Sequence, residues 1–497
     1  MKQQQFLAFD LGAESGRAVL GHLQEGSLSL EEIYRFPNEP VLVRQTLYWD
    51  VLALYNHVLK GMSEYSARSG DLLDGIGFDT WGVDFGLLSQ NGDLLQNPVH
   101  HRDRRTERVL DEVRSRIPLE ELFRHTGMSL LPINTSAQLL SLRVQQSALL
   151  DCASTFLMMP DLMAYFLTGQ KGCERTNAIT TQLYDPWKHE WNHEVVKKLD
   201  IPTRLLPELV NPGTILGAVR DTVSKYTGVR SGRVISPCTH DTASAVAAVP
   251  AQGKDWAFLS SGTWSILGTL TPEVVTSPAA FSAGMFNELT LQSFFLCRNI
   301  MGLWMLQQAR AGWLRQNRQY SYQELTALAN AASGGLAFID PDDIRFLAPE
   351  EMLQTIAEYC QQTTQPIPQG PGEITRCILE SLALAYRHKL DQLGAMLGRS
   401  FAVLHIVGGG SKNALLCQLT ANATGLLVVA GPAEATVAGN VMVQAFGLGC
   451  ISSPDEIRQV VRSSSKLVEF EPKDRALWQD YYGKYLRLVE AGGRKLV

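Results

Sequence analysis

The sequence predicts an α/β protein of two similar halves, each built on a mixed sheet. Three observations carry this. A strand, a glycine turn and a second strand open the chain near residue 5, and the same design starts again near residue 256. Helical segments alternate with short apolar strands in both halves, as layered α/β folds require. The chain has 497 residues, room for about two to four domains at roughly 100–200 residues each, and the repeated opening reduces that to two. No repeat of about 20–50 residues is visible, which excludes solenoids and propellers.

The elements follow in order. QFLAF (5–9) is a short apolar strand ending on Asp10; LGAESG turns, RAVLGHL resumes, QEGS turns again and LSLEEIYRF completes an antiparallel opening. Residues 50–68 have helical apolar spacing, with Asp50 as N-cap. GIGFDT (75–80) is the next strand, also ending in an acid, and Asn91-Gly92 signals a hairpin. The region 100–235 is helix-rich. His240-Asp241 then marks the boundary between an extended stretch and the small-residue helix TASAVAAV. WAFLSSGTWSILGTL (256–270) repeats the opening. VLHIVGGGSKNALLCQLTAN (403–422) reads as strand, triple glycine and helix; LLVVAGP (426–432) is a strand, and ATVAGNVMVQAFGLG is a second small-residue helix.

Composition limits the function classes. Lys and Arg total 44 against 50 Asp and Glu, a net charge of −6, so a polyanion partner such as nucleic acid is disfavoured, as is an anionic membrane surface. Stretches 413–433 and 435–454 are uncharged, yet Asn, Gln, Thr, Gly or Pro interrupt both, and neither reads as a membrane span. No apolar leader precedes Asp10, so no secretory signal is visible and the expected location is the cytoplasm. The eight cysteines (152, 173, 238, 297, 360, 377, 417 and 450) form no Cys-x-x-Cys pair, which argues against a zinc or redox motif. Cys360 and Cys377 flank a Pro/Gly-rich loop and either meet in space or stay separate buried thiols.

Four segments carry chemistry. FDLGAESGR (9–17) places Asp10 at a strand end before Gly12, Ser15 and Gly16. Such a turn either offers backbone amides to a phosphate, with Asp10 holding a Mg²⁺ and Arg17 reaching a phosphate, or is an ordinary β-turn. SSGTWS (260–265) has the same logic and the same alternative. IVGGGSKN (406–413) either receives a nucleotide or packs a helix closely on a strand. Asp241, in THDTAS (239–244), either accepts the proton of an attacking hydroxyl or caps its helix. A Walker A pattern is absent, which disfavours a P-loop enzyme.

In this order the segments resemble the sugar kinases of the actin/hexokinase/Hsp70 fold and, within them, the FGGY carbohydrate kinases. DTWGVDF (79–85), HRDRRT (101–106), THDTASA, SSGTWS, NIMGLWMLQ (299–307), DPDDIRF (340–346) and LHIVGGGSKN continue the series over essentially the whole chain. DTWGVDF and NIMGLW are specific to the branch that acts on L-rhamnulose. The resemblance implies two ribonuclease H-like (actin-like ATPase) domains with mixed sheets flanking a central cleft. It implies a sugar-binding domain over 1–244 and a nucleotide-binding domain over 245–497. It further implies ATP-dependent phosphorylation of O1 of L-rhamnulose, with L-fuculose as the alternative ketose. Asp241 is then the catalytic base, and Gly82, His240, Asp241, Thr242 and Asn299 are sugar contacts. Ala13, Glu14, Ser15, Gly16, Arg17, Thr263, Gln307 and Gly409 are ATP contacts, and Asp10 holds Mg²⁺ through water. The expected partners are the two small substrates, with no nucleic acid and no membrane, on a monomer or weak homo-oligomer. Two departures stand out. Glu14 replaces a small polar residue and is expected to point outward; His101 replaces an aromatic. A dinucleotide-binding oxidoreductase would need a glycine near position 413, where Asn413 stands, and an ATP-binding regulator would have no use for Asp241.

Overall fold

The computed structural model describes residues 3–69, 73–230 and 232–491. They form two compact units that are not the two continuous halves of the chain. The first comprises Met1–Ala248, Leu270–Leu296 and Ala435–Ser464; the second comprises Val249–Thr269, Cys297–Glu434 and Ser465–Val497.

In the first unit, β1 (Gln4–Leu11), β2 (Ser15–Gln24), β3 (Ser27–Pro37), β4 (Gly75–Thr80), β5 (Ile215–Ala218) and β6 (Arg233–Ile235) form one sheet in the order β5-β6-β4-β1-β2-β3. β1–β2 and β2–β3 are antiparallel, whereas β1–β4 and β4–β6 are parallel. The glycine turn closes where Gly12 N donates to Ser15 O at 2.9 Å. Gly16 answers to packing, since a Cβ there would lie 2.3 Å from the Phe36 ring. Helix α1 (Val51–Ser69) starts where Asp50 Oδ1 accepts from Ala53 N at 3.1 Å, and it buries Val51, Leu54, Val58, Met62 and Tyr65 in the core that contains the stacked Phe9 and Phe78 rings. The Asn91-Gly92 turn forms, with Gly92 at φ 89° and a bridge between Leu88 and Leu94, but the strand Phe85–Leu88 pairs along its length with Thr155–Met158.

Helix α2 (Asp241–Ala247) meets α3 (Ala435–Gly447), the segment that returns to this unit late in the chain. Their approach requires glycine: a Cβ on Gly439 would sit 1.9 Å from the Ser244 carbonyl oxygen. The polar Asn440 and Gln444 of α3 are fully buried and hydrogen-bond to residues of β4 and β1, Asn440 to Asp79 and Gln444 to the Leu7 carbonyl.

A second sheet contains β7 (Trp256–Ser261), β8 (Trp264–Thr271), β9 (Phe286–Leu289), β10 (Phe294–Met301), β11 (Val403–Val407), β12 (Leu427–Ala430) and β13 (Val468–Phe470), in the order β9-β10-β8-β7-β11-β12-β13. β7 is antiparallel to β8 and parallel to β11, β11 is parallel to β12, and β12 is antiparallel to β13. The pairing pattern of the first sheet thus recurs, and the repeat read from the two openings is a repeat of topology. The uncharged stretches become the helices Ala414–Thr424 and α3 with β12 between them. Among the described residues, no helix is long and apolar enough to cross a membrane. None of the eight cysteines is joined in a disulfide, and the thiols of Cys360 and Cys377 lie close enough to shift one another's ionisation.

Candidate active site

Three acids gather at the ends of adjacent strands of the first unit. Parallel register sets Asp10 opposite Asp79, and the next pairing brings in the third: Thr80 N donates to Thr239 O at 2.9 Å and Thr80 bridges to His240. Asp241 follows as the first residue of α2. His240 occupies the N-cap position, without a side-chain cap bond, so Asp241 is not spent as the cap. Its side chain is 37% exposed, within reach of a ligand.

Each acid is held differently. Asp10 lies opposite Arg17 across the β1–β2 pair, and its Oδ2 accepts from Arg17 Nε at 2.9 Å and Nη2 at 2.7 Å. Arg17 is therefore ion-paired with Asp10. Asp79 is fully buried; its Oδ2 accepts from Asn440 Nδ2 at 2.6 Å, and its Oδ1 has no hydrogen-bond partner among the described residues. Burial raises the Asp79 carboxyl well above the usual range, the charges of Asp10 and Asp241 add to this, and the Asn440 donor opposes it. Burial also raises Asp241, opposed by the His240 charge and the Thr242 donors and reinforced by Asp10. An excess of carboxylate oxygen with one orphaned atom fits a hard divalent cation, which takes carboxylates and waters.

Loop 81–84 lies within the DTWGVDF motif. Gly82 is buried against Thr180, whose Oγ1 would be 2.9 Å from a Cβ at that position. Val83 has φ 70°, a strained conformation for a β-branched residue that costs about 1–3 kcal/mol. It is fixed by Thr180 Oγ1 on its N–H at 3.0 Å, and by Thr135 Oγ1 and Gln138 Nε2 donating to its carbonyl at 2.6 and 3.2 Å. Asp84 is fully buried and accepts from Trp49 Nε1 at 2.6 Å, Trp81 Nε1 at 2.9 Å, His101 Nδ1 at 2.8 Å and Gln138 Nε2 at 3.0 Å. Burial opposes its charge, yet His101 and the two indoles hold the carboxyl below the usual range. Burial, with the nearby His101 charge, pushes His100 down to about 3. His101 thus replaces an aromatic by an imidazole oriented on a buried carboxylate.

Among the residues of the first unit expected to contact ATP, Glu14 is exposed while Ala13, Ser15 and Arg17 are partly buried. In the second unit, Thr263 Oγ1 accepts from Gln307 Nε2 at 3.2 Å, and the Thr263 carbonyl accepts from the N–H groups of Gly302 and Trp304. A Cβ on Gly302 would lie 2.8 Å from the Gly262 oxygen, so NIMGLW and SSGTWS are packed as one unit of structure. The three glycines divide their work. Gly408 (φ 80°) and Gly410 pack on Ser261, whereas a Cβ on Gly409 would meet nothing within 4 Å. Close packing and an open backbone therefore both hold, at different positions. Asn413 caps the next helix by accepting from Leu416 N at 3.0 Å. Asn299 is exposed on β10.

Four functional neighbours escaped the sequence reading. Asp79 was visible only as a strand-end acid, and Asn440 lies 361 positions away from it. Glu174 is fully buried; its Oε2 accepts from Thr239 N and Oγ1, both at 2.9 Å, and so anchors the residue before His240. Glu288 Oε2 lies 2.9 Å from His240 Nδ1. The polar pair Asn440 and Gln444, four apart on an otherwise apolar helix, was the one signal that could have exposed the first two.

Residues 5–248 match the model of the N-terminal domain of the FGGY family of carbohydrate kinases, and 257–448 match its C-terminal domain. The rhamnulokinase of Bacteroides thetaiotaomicron is 41% identical over 481 residues, covering 97% of this chain and 98% of that protein. That of Enterococcus faecalis is 38% identical, covering 97% of each. The gluconate kinase of Lactobacillus acidophilus, at 16% identity, superposes with a TM-score of 0.82 over 99% of this chain and 98% of that one.

Proposed function

The chain belongs to the FGGY family of carbohydrate kinases, and from that premise we propose that it transfers the γ-phosphoryl group of ATP to O1 of L-rhamnulose, giving L-rhamnulose 1-phosphate and ADP. The observation that carries the mechanism is the setting of Asp241: a reachable carboxylate at the first residue of α2, beside His240 and near Asp10.

The sugar contacts are Gly82, His240, Thr242 and Asn299. Asp241 accepts the proton of the O1 hydroxyl as oxygen and phosphorus bond and the β–γ bridge opens toward ADP. General-base help of this kind contributes about 10²–10⁴-fold, and orienting the nucleophile adds to it. In a loose transition state the protein chiefly positions groups and stabilises charge. That work falls to the backbone amides of the 12–16 turn other than Gly12 N, which the Ser15 carbonyl holds, and to Thr263, Gln307 and Gly409. Arg17 and the neighbouring Ala13, Glu14 and Ser15 border the phosphates. Asp10 would hold Mg²⁺ through water; the ion, when bound, neutralises phosphate oxygens. Sugar binding is assigned to residues 1–244, nucleotide binding to 245–497, and the site of action is the cytoplasm.

The test is an ADP-release assay across L-rhamnulose, L-fuculose, L-ribulose, D-xylulose and glycerol. L-rhamnulose is expected to give the highest kcat/KM. Equal turnover of glycerol would sink the specificity, and a higher value for L-fuculose would reassign the substrate.

A further inference from the structure

We propose that Asp342 is a positioning residue for the sugar contact Asn299: its carboxylate binds Arg298, the neighbour of Asn299 on β10, and ties that strand to the buried Lys389. The inference rests on the reading of Asn299 as a sugar contact. It gives the DPDDIRF segment (340–346) a task that no step of the transfer assigns to it. All of these residues belong to the second unit.

The three acids of DPDDIRF are used differently. Asp340 Oδ1 accepts from Asp342 N at 3.0 Å and so closes a turn. Asp343 Oδ1 accepts from Arg345 N at 3.0 Å and Nε at 2.8 Å, and its Oδ2 accepts from Arg345 Nη2 at 2.6 Å. These bonds stay within the segment. Asp342 reaches out of it: its Oδ2 accepts from Arg298 Nη2 at 3.2 Å and forms an ion pair with Lys389 Nζ at 2.7 Å. The side chains of Asp342, Arg298 and Lys389 are only 5%, 11% and 7% exposed, so little water competes for them. One buried carboxylate thus links β10 to the helix Gly370–Leu397, which carries Lys389. The segment is pinned beside that helix, because Ile339 N donates to Ser381 Oγ at 2.9 Å and Asp340 N donates to Tyr359 Oη at 3.2 Å.

What the link controls follows from strand geometry. Successive side chains of a strand point to opposite faces, so Arg298 is held on one face of β10 while Asn299 stands exposed on the other. The Asn299 side chain makes no hydrogen bond among the described residues, so the backbone beneath it sets its place. Asp342 is the only hydrogen-bond partner of the Arg298 side chain among the described residues. The chain beyond Met301 has anchors of its own: Gly302 N and Trp304 N donate to Thr263 O, and Leu303 N donates to Gly262 O. The nucleotide contacts Thr263 and Gln307 are thereby fixed without Asp342. A neutral group at 342 leaves the Arg298 and Lys389 charges side by side without the carboxylate between them. Uncompensated like charges repel strongly where water is scarce, and the strand end that carries Asn299 shifts.

Initial rates of the full chain with L-rhamnulose and ATP test this. Asp342→Asn is expected to raise KM for L-rhamnulose about 2–10-fold, the worth of one hydrogen bond between uncharged groups, while kcat and KM for ATP stay in place. Asn299→Ala is expected to give a rise of the same size. Asp342→Asn added to Asn299→Ala brings no further rise, because residues that act through one contact are not additive. Arg298→Gln leaves the Asp342–Lys389 pair balanced and is expected to repeat the Asp342→Asn result; it carries the test if Asp342→Asn does not fold. An unchanged KM for L-rhamnulose in Asp342→Asn or Arg298→Gln overturns the proposal, as do equal rises in KM for both substrates. Effects of Asp342→Asn and Asn299→Ala that multiply also overturn it. A merely structural Asp342 would lower kcat through the active fraction and leave both KM values in place, which overturns it as well. If Asn299→Ala alone leaves KM for L-rhamnulose in place, the assignment of Asn299 has failed and the proposal falls with it; that single variant tells the two failures apart.

Discussion

Gly439→Ala is the sharpest perturbation available away from the reacting groups. The added Cβ lies 1.9 Å from the Ser244 carbonyl oxygen and 2.6 Å from its carbon, more than an ångström inside the contact distance of about 3.3 Å for carbon and carbonyl oxygen. The obstacle is backbone, so no side-chain rotamer relieves it, and α2 must move away from α3. Overpacking costs about 1–3 kcal/mol. Alanine offsets about 1 kcal/mol of that through helix propensity, leaving a net loss of up to about 2 kcal/mol. The displacement reaches the base because Ser244 N donates to His240 O at 3.0 Å in the first turn of α2. A shift near 1 Å at the reacting groups costs about 10²-fold in rate. ADP release at saturating L-rhamnulose and ATP reads the rate, and urea denaturation reads the stability. Gly409→Ala, where a Cβ meets nothing within 4 Å, serves as the control for folding. Wild-type kcat and denaturation midpoint in Gly439→Ala would refute the reasoning.

Two further expectations follow from the buried acids. Asn440→Ala removes the donor 2.6 Å from Asp79 and the acceptor of Gln444 Nε2; a loss of about 1–3 kcal/mol in urea denaturation is expected, and an unchanged midpoint would count against that network. Asp161 is buried, its Oδ2 has no hydrogen-bond partner among the described residues, and burial, with Glu174 beside it, holds its carboxyl well above the usual range. The folded chain therefore retains a proton that the unfolded chain releases above about pH 4, so this group makes stability fall as pH rises. Asp161→Asn should gain on wild type progressively from pH 4 upward in denaturant titrations; parallel curves would exclude the effect.

Local chemistry made much of this legible. The strand–turn–strand openings near 5 and 256, the Asp50 cap and the His240–Asp241 boundary are written in neighbouring residues, because turns and caps are short-range devices. The return of 435–464 to the first unit is not, since an uncharged small-residue helix carries no address for its partner. Glu288 and Glu174 were invisible for a related reason: a single buried acid has no periodicity, and only the fold brings it to His240 or Thr239. Gly16 and Gly82 show the converse. Their place in phosphate and sugar motifs suggested ligand contact, while the immediate demand on each is a neighbouring side chain, Phe36 and Thr180.

The proposed transfer turns on Asp241 as the group that takes the O1 proton. Its most direct test is kcat for Asp241→Asn with saturating L-rhamnulose and ATP at pH 7.5, alongside a denaturation curve that certifies the fold. A fall of about 10²–10⁴-fold or more is predicted. A kcat within a few-fold of wild type would contradict it.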